Sequence, residues 1–275
     1  MTTAPPDEAS TVLARALLCL DSGISDALVG PQTVTYSERC VEVPWIAARL
    51  HEATRLLDVG WAMSPPEWLG VLLAVEDRGT SLTGIDIVDP QRVRTRYPAA
   101  LVDRVLAVPV RVESILDAEP VDGLFDALAC VSTLEHIGFD VASPPEVTET
   151  AFVRAKTPEE AVSVRDPETD RRFLDAAARL IEPGGSLLVS VPAGFGVPIL
   201  HQDSLGLFTH QFEYDEPSWR ALVSDERFTV VEEAYFRHDD VEGWQAVAEF
   251  SLLTDQTSAL RPFATGCAIV HMKRR

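Results

Sequence analysis

Residues 56–64 read LLDVGWAMS, and this stretch decides the fold. Its apolar run ends at Asp58 and Gly60 and is followed by small residues, which predicts a buried strand, a tight turn and the start of a helix. Gly60 is expected where the backbone takes a positive φ or approaches a ligand closely. At the carboxyl end of a parallel strand, such a turn brings backbone groups and a helix amino end to a ligand. Strand–turn–helix segments with one glycine are common in α/β proteins, so the surrounding sequence must indicate what binds here.

Strands and helices alternate on both sides of this turn. The predicted strands are 55–59, 81–87, 125–131 and 186–192, and the predicted helices are 10–20, 44–54, 67–77 and 170–181. Short apolar strands separated by helices indicate a parallel sheet with both faces covered. Beyond residue 192 a helix is predicted at 217–224 and strands at 228–235 and 267–272, which indicates an antiparallel edge. The predicted fold class is therefore α/β, with a mostly parallel sheet.

Two further segments carry polar side chains where a predicted strand ends. Residues 83–87 read TGIDI, and a carboxylate at Asp86 can accept hydrogen bonds from both hydroxyls of a ribose. The alternative is a helix cap, because Asp89 and a proline follow. Residues 125–137 read FDALACVSTLEHI, so a buried strand leads into a loop that carries hydroxyl, carboxylate and imidazole groups. Open α/β sheets place their ligands at this edge.

These segments, with LIEPGGSLLVSVP at 180–192, resemble the class I S-adenosylmethionine-dependent methyltransferases of the Rossmann-like, small-molecule type. The resemblance is strongest to members whose fourth strand continues into Ser-Thr-x-Glu-His-x-Gly, here residues 132–138. It covers roughly residues 55–191 and, more loosely, 266–273, which looks like an antiparallel seventh strand. It implies a seven-stranded, mostly parallel sheet with an antiparallel last strand and helices on both faces, and S-adenosyl-L-methionine as cofactor.

The resemblance also implies which residues contact that cofactor. They are Asp58, Gly60, Trp61, Ala62, Asp86, Ile87, Ser114, Ile115, Ser132 and Thr133. In this interpretation Asp58 and Gly60 lie beside the methionine part, Asp86 holds the ribose and Ile87 packs on the adenine. Two positions depart from the family pattern: Ala62 replaces the second glycine of Gly-x-Gly, and Glu113-Ser114 replaces the usual Gly-Asp pair.

His136 is the candidate catalytic base, because an unperturbed imidazole titrates near neutral pH. The alternative is that Glu135 and His136 only cap a helix or fix the loop. Polar groups expected on the acceptor side are Glu135, His201, His210 and Tyr214. No metal is expected, although His201, Asp203 and His210 have a ligand-like spacing. Residues 36–45, YSERCVEVPW, with Arg39 among them, are expected either to cover the cofactor or to pack Trp45 under the first helix.

The predicted function is methyl transfer to a small molecule, most simply O-methylation of a sugar or specialised-metabolite hydroxyl in natural product biosynthesis. Nitrogen and carbon acceptors stay open. A further open alternative is a silent or repurposed cofactor-binding protein, such as a cyclase, an isomerase or a partner subunit. A nicotinamide-dependent dehydrogenase is disfavoured because the first loop lacks Gly-x-Gly-x-x-Gly.

Composition narrows the possible partners. The formal net charge of −20 repels nucleic acid. The sequence contains no run of 18 apolar residues, so no membrane span is predicted. The four scattered cysteines suggest a reduced, cytoplasmic protein. A homodimer is possible. Residues 1–50 are predicted to form a helical extension or cap, and residues 51–275 the cofactor-binding domain, with a lid-like insertion near 139–170.

Overall fold

A computed structural model of the chain describes residues 7–139, 165–202, 208–257, 259, 261 and 263–275. The helices are α1 (Glu8–Ser22), α2 (Arg39–Ala47), α3 (Pro66–Asp77), α4 (Val102–Ala107), α5 (Thr169–Leu180) and α6 (Glu216–Val223). The strands are β1 (Arg55–Val59), β2 (Ser81–Asp86), β3 (Val110–Val112), β4 (Phe125–Val131), β5 (Ile181–Pro192), β6 (Pro198–Gln202), β7 (Phe208–Phe212), β8 (Phe228–Asp239), β9 (Gly243–Val247) and β10 (Gly266–Arg274).

The main sheet has the order β3-β2-β1-β4-β5-β10-β8-β9. The five strands from β3 to β5 run parallel, and β10 is inserted antiparallel between β5 and β8. This confirms the predicted Rossmann-like α/β fold with an antiparallel last strand. The predicted number of seven strands is wrong, because β9 pairs with the end of β8 and adds an eighth strand at the edge. A separate antiparallel pair, β6 and β7, was also not predicted.

Alternate residues of the central strands face opposite sides of the sheet. Leu56 packs in a core cluster with residues of α1, α2 and α3, whereas Leu57 packs in a second cluster with residues of α5 and α6. Successive side chains of a strand point to opposite faces, so a strand buried on both sides reads as a continuous apolar run. The prediction of helices on both faces is confirmed.

The second helix begins earlier than predicted. It spans Arg39–Ala47 rather than 44–54, so Pro44 lies inside the helix instead of starting it. A proline in this position has no N–H to give to the carbonyl four residues before it. That carbonyl, on Cys40, accepts a hydrogen bond from the Leu28 amide at 3.0 Å. The lost helical bond is thereby replaced, and the helix tolerates the proline.

The amino-terminal segment also covers one edge of the sheet. The Gly30 amide donates to the Trp244 carbonyl at 2.8 Å. In the other direction the Trp244 amide donates to Thr33 Oγ1 at 2.8 Å and its indole N–H to the Tyr36 carbonyl at 2.9 Å. Strand β9 is thus bonded on its outer side by residues that precede α2. Among the described residues, no helix has both the length and the apolar character needed to cross a membrane.

Candidate functional site

The first of two adjoining cavities lies where β1 and β2 end. Its volume is about 220 Å³. Four apolar side chains dominate the lining, namely Ile85, Ile87, Ile115 and Leu116, and the polar groups include Asp86 and Ser114. The Ser114 hydroxyl accepts a hydrogen bond from the Leu116 amide at 3.2 Å, which fixes the turn on that side. A flat apolar ligand with hydrogen-bonding groups along one edge fits this lining.

Asp86 connects the end of β2 to the loop after β1. Only 6% of the residue is exposed, and its two oxygens accept from the Ala62 amide at 2.9 Å and the Val88 amide at 2.8 Å. Burial raises the pKa of Asp86 to about 6, although these amide bonds oppose the rise. Each carboxylate oxygen has two lone pairs. Asp86 therefore keeps acceptor capacity toward the cavity while it fixes the loop.

Gly60 brings the backbone close to the end of β4. Its φ is +92°, a conformation that favours glycine. A Cβ at this position would lie 2.8 Å from Thr133 Cγ2 and closer still to Thr133 Oγ1. The positive φ agrees with one of the two expectations for Gly60, and the close neighbour is Thr133 of the chain itself, so the approach to a ligand stays a prediction.

The second cavity lies beside the first and has a volume of about 140 Å³. Gly60, Thr133 and His136 line both cavities, so the two adjoin at these residues along the edge of the sheet. The second cavity is more polar, and its lining includes Arg39, Arg96, Ser64 and Ser132. The first cavity is thus the apolar end of the site, and the second presents guanidinium and hydroxyl groups.

Ser132 has an unusual backbone at the start of the loop after β4. Its φ is +39°, in the left-handed region that non-glycine residues rarely enter. The Ser132 amide donates to the carbonyl and to the hydroxyl oxygen of Ser190, and the Ser132 hydroxyl donates to Glu42 Oε2 at 2.9 Å. Such strained residues concentrate at functional sites.

Arg39 enters the second cavity from α2 and is surrounded by carboxylates. It forms an ion pair with Glu42, and Glu38 lies 3.9 Å away. Burial alone would lower the pKa of Arg39, but Glu42, Glu38, Glu67 and Glu135 together raise it above its ordinary value. Arg39 is therefore permanently charged.

The same cluster perturbs its own acids. Burial raises the pKa of Glu135 to about 8, with nearby Glu42 adding to the rise. Burial also raises the pKa of Glu38 to about 7, against the effect of Arg39. One oxygen of Glu135 is buried without a hydrogen-bond partner. Because unpaired buried carboxylates are costly when ionised, this region holds protons near neutral pH.

Three predicted cofactor contacts lie elsewhere. Asp58 is fully buried and accepts from the Trp68 indole at 2.9 Å, so its side chain reaches neither cavity. Trp61 is also fully buried and packs against Gly84, where a Cβ would lie 2.6 Å from the Trp61 ring. Ala62 contributes its amide to Asp86 rather than its side chain to a ligand. The loop turns the large Trp61 side chain inward to fill the core, and none of the three residues lines either cavity, so their contact with a cofactor stays a prediction.

The predicted acceptor residues are also placed differently. Glu135 is buried in the acidic cluster behind the cavities. The fully buried Tyr214 bonds through its hydroxyl to Asp170 at 2.8 Å and to Arg165 at 3.0 Å, away from both cavities. His201 and His210 lie on β6 and β7, one pair out of register with each other, and their side chains are outside the described part of the structure. Asp203 and residues 140–164 of the predicted insertion are also outside it.

Arg39 and Glu42 are the main functional candidates that sequence reasoning did not place in the site. Arg39 was noted only as part of a covering segment, while Trp45 of that segment is buried in the core. The available signal was their spacing, because residues three apart share a face of a helix. Within the described residues, no three His, Cys, Asp or Glu side chains are arranged to hold a metal ion.

Comparisons with known proteins give structural likeness only. The sequence matches no protein-family model, and no curated protein matches it. Similar solved structures include a methyltransferase from Methanosarcina mazei (14% identity, 80% of this chain and 92% of that chain, TM-score 0.47). Another is 1,6-didemethyltoxoflavin-N1-methyltransferase from Burkholderia thailandensis (15% identity, 100% and 92%, TM-score 0.43). A third is the N-methyltransferase NodS from Bradyrhizobium japonicum WM9 (13% identity, 81% and 78%, TM-score 0.39). At these identities and TM-scores, the likeness carries no conclusion about activity.

Proposed function

We propose that this protein is an S-adenosylmethionine-dependent methyltransferase that acts on a small molecule. The main support is that an apolar and a polar cavity adjoin at Gly60, Thr133 and His136. One end is apolar and carries a buried carboxylate, whereas the other presents a guanidinium and hydroxyls. A ligand that joins a nucleoside to an α-amino acid has these two chemical ends.

The apolar end would hold the adenosine part. Ile87 and Ile115 offer hydrophobic surface to a base, and both line the first cavity. Asp86 has acceptor capacity left after its bonds to the Ala62 and Val88 amides, so it can receive ribose hydroxyls. These residues therefore fit a nucleoside without rearrangement of the loop.

The polar end would hold the amino-acid part. Arg39 lines the second cavity and is permanently charged, and a guanidinium binds a carboxylate through paired hydrogen bonds. When bound, S-adenosylmethionine supplies an electrophilic methyl group. The residues common to both cavities would lie beside its sulfur.

A nicotinamide dinucleotide fits this edge less well. Its diphosphate needs amide N–H donors at the amino end of the helix after β1. Here α3 has Pro65 as its N-cap and Pro66 as its first residue, so neither position has an N–H to donate. The first turn also carries Glu67, whose negative charge would repel a phosphate.

His136 is the residue we propose as general base for a hydroxyl acceptor. It lies where the two cavities meet. As the acceptor oxygen takes the methyl group, a ring nitrogen of His136 would take the hydroxyl proton, which leaves a neutral ether and an imidazolium. A sugar or specialised metabolite is the acceptor class that the sequence resemblance supports.

Calorimetry with the full chain tests the cofactor. We expect binding of S-adenosylmethionine and of S-adenosylhomocysteine, and none of NAD. No heat with either sulfur compound at millimolar concentration would overturn the proposal. Tight binding of NAD alone would favour a dehydrogenase.

Turnover with a panel of hydroxyl and amine acceptors tests the reaction. His136→Ala should reduce the rate on the best hydroxyl acceptor roughly 100-fold or more, because general bases contribute about 10²–10⁴-fold. Affinity for S-adenosylhomocysteine should stay within a few-fold. An unchanged rate would remove His136 from the mechanism, and cofactor binding with no turnover on any acceptor would favour the silent or repurposed alternative.

A further inference from the structure

Glu42 lies on helix α2 and connects it to the loop after β4. Its side chain is fully buried. One carboxylate oxygen pairs with the Arg39 guanidinium, and the other accepts the Ser132 hydroxyl at 2.9 Å. Arg39 and Ser132 both line the second cavity, whereas Glu42 does not. A buried carboxylate thus holds two groups of the candidate site from behind.

Four carboxylates act on Arg39, but their contacts differ. One oxygen of Glu38 accepts a hydrogen bond from the Ala264 amide at 3.0 Å. Its other oxygen comes no closer than 3.9 Å to Arg39 Nε. Glu67 and Glu135 act on the guanidinium through their charge. Glu42 combines a direct bond to Arg39 with a bond to Ser132, another residue of the second cavity. It is the member of the cluster whose geometry can fix a side chain rather than only attract it.

A fixed guanidinium binds better than a mobile one. An arginine side chain loses rotamer freedom, and therefore entropy, when it is immobilised. Glu42 makes that loss part of folding, so it is not repeated when a ligand binds. The guanidinium has five N–H donors in a rigid plane, and donors not used by Glu42 remain for the cavity.

We propose that Glu42 is a positioning residue for the amino-acid end of the bound cofactor. It holds Arg39 and Ser132 in one arrangement, so that Arg39 presents donors to an α-carboxylate in the second cavity. This inference rests on the proposed function and adds to it: the helix α2 and the strand β4 recognise the amino-acid part together. Ligands with that part should depend on Glu42, and ligands without it should not.

The test compares S-adenosylhomocysteine with 5′-methylthioadenosine, which has the same nucleoside but no amino-acid group. Calorimetry on the full chain with Glu42→Gln should show a Kd for S-adenosylhomocysteine raised about tenfold or more, the scale of one charge-assisted hydrogen bond. The Kd for methylthioadenosine should stay within about twofold. Equal weakening of both ligands, or of neither, would overturn the inference. If the unchanged protein binds neither ligand, the proposed function itself fails, which is a separate result.

Glu38→Gln, compared above pH 8 where Glu38 is ionised, is the matched control, because it removes the same charge beside Arg39 but leaves the bond between Glu42 and Ser132. We expect less than about a threefold change for either ligand. An effect equal to that of Glu42→Gln would mean that net charge matters and the bridge does not. Should Glu42→Gln fail to fold, Ser132→Ala breaks the bridge from the other side, and a loss specific to S-adenosylhomocysteine is again expected. Uniform loss or no loss in that variant contradicts the inference.

Discussion

The two ends of the site are built from the chain in different ways. The apolar end takes its residues from four consecutive strand ends and the turns that follow them, at positions 60, 86–87, 113–116, 133 and 136–139. The polar end combines the loop after β4 with Arg39, which lies more than 90 residues earlier in the chain. The first kind of site can be read locally, whereas the second exists only after the helix has packed. The difference predicts that substitutions at the two ends affect different parts of one ligand.

The largest effect is expected at the residue that both ends share. Gly60→Ala should abolish binding of S-adenosylhomocysteine and lower stability by roughly 2–4 kcal/mol, because it adds a clash with Thr133 to the strain of a positive φ. Binding and thermal unfolding measure the two losses.

Gly79→Ala is the control for that strain. Gly79 has a φ of +94° and open space around its Cβ position. The Gly79→Ala variant should lose about 1–2 kcal/mol of stability through backbone strain alone. Its affinity for S-adenosylhomocysteine should not change. Equal effects of the two variants would mean that the contact with Thr133 is unimportant.

Asp86→Asn should act at the apolar end. The side-chain amide of asparagine retains one acceptor oxygen but places an NH₂ group against the backbone amide of Ala62 or Val88. The loop therefore loses one hydrogen bond, and the ribose loses one acceptor. Affinity for S-adenosylhomocysteine and for methylthioadenosine should fall together, roughly 10-fold to 100-fold. A loss restricted to S-adenosylhomocysteine would place Asp86 at the wrong end of our proposed ligand.

The pH dependence of stability should distinguish the buried acids beside the polar end from Asp86 at the apolar end. Glu135 and Glu38 have pKa values of about 8 and about 7 in the fold, against an ordinary value of 4.5. A carboxyl with a raised pKa stabilises the fold below its unfolded pKa, and that contribution is lost as the pH rises through its folded pKa. The Tm should therefore fall between about pH 4.5 and pH 8, by roughly 2–4 °C for each kcal/mol lost.

Two variants check the origin of that fall. Glu135→Gln should flatten the curve up to about pH 8, most clearly between pH 7 and pH 8, because Glu38 is already ionised there and Glu135 is the remaining group with a higher pKa. Asp86→Asn should change only the range from about pH 4 to pH 6, since the pKa of Asp86 is about 6. A Tm that is constant from pH 6 to pH 9 would contradict the assignment of buried, protonated acids.

The smallest effect is expected at Asp58. Asp58→Asn keeps an acceptor for the Trp68 indole and removes an acid whose pKa burial raises well above its ordinary range. Affinity for S-adenosylhomocysteine should change by less than about twofold, roughly 0.4 kcal/mol. A large loss would restore the sequence-based prediction that Asp58 contacts the methionine part.

The sequence predicted the parallel half of the fold well, because its signals are local. The strand 125–131 was predicted with the bounds that the structure has, and α3, α5 and α6 within about a residue at each end. The eighth strand was missed because Gly243–Val247 is short and is defined by its pairing with β8. The start of α2 was misplaced because Pro44 looks like a helix start, and the bond from Leu28 that permits it inside a helix comes from outside the segment.

The candidate site shows the same difference between residues with a local sequence signal and residues whose placement depends on packing. A cavity is lined by eight of the residues named from the sequence, while their contact with a ligand stays a prediction: Gly60, Asp86, Ile87, Ser114, Ile115, Ser132, Thr133 and His136. Asp58 and Trp61 have the right positions in sequence, but their side chains point into the core, and the direction of a side chain depends on packing. Arg39 and Glu42 depend on how α2 docks, so no local pattern predicts their contact with Ser132.

The hydrogen bonds between residues 30–36 and Trp244 affect how this chain can be shortened. A fragment that starts at β1 would leave the outer backbone of β9 without its partners, and it would uncover the apolar surface beneath α1 and α2. Unpaired strand edges invite pairing with other molecules. Such a fragment is expected to aggregate, so the protein should be produced and crystallised with its amino-terminal helices attached.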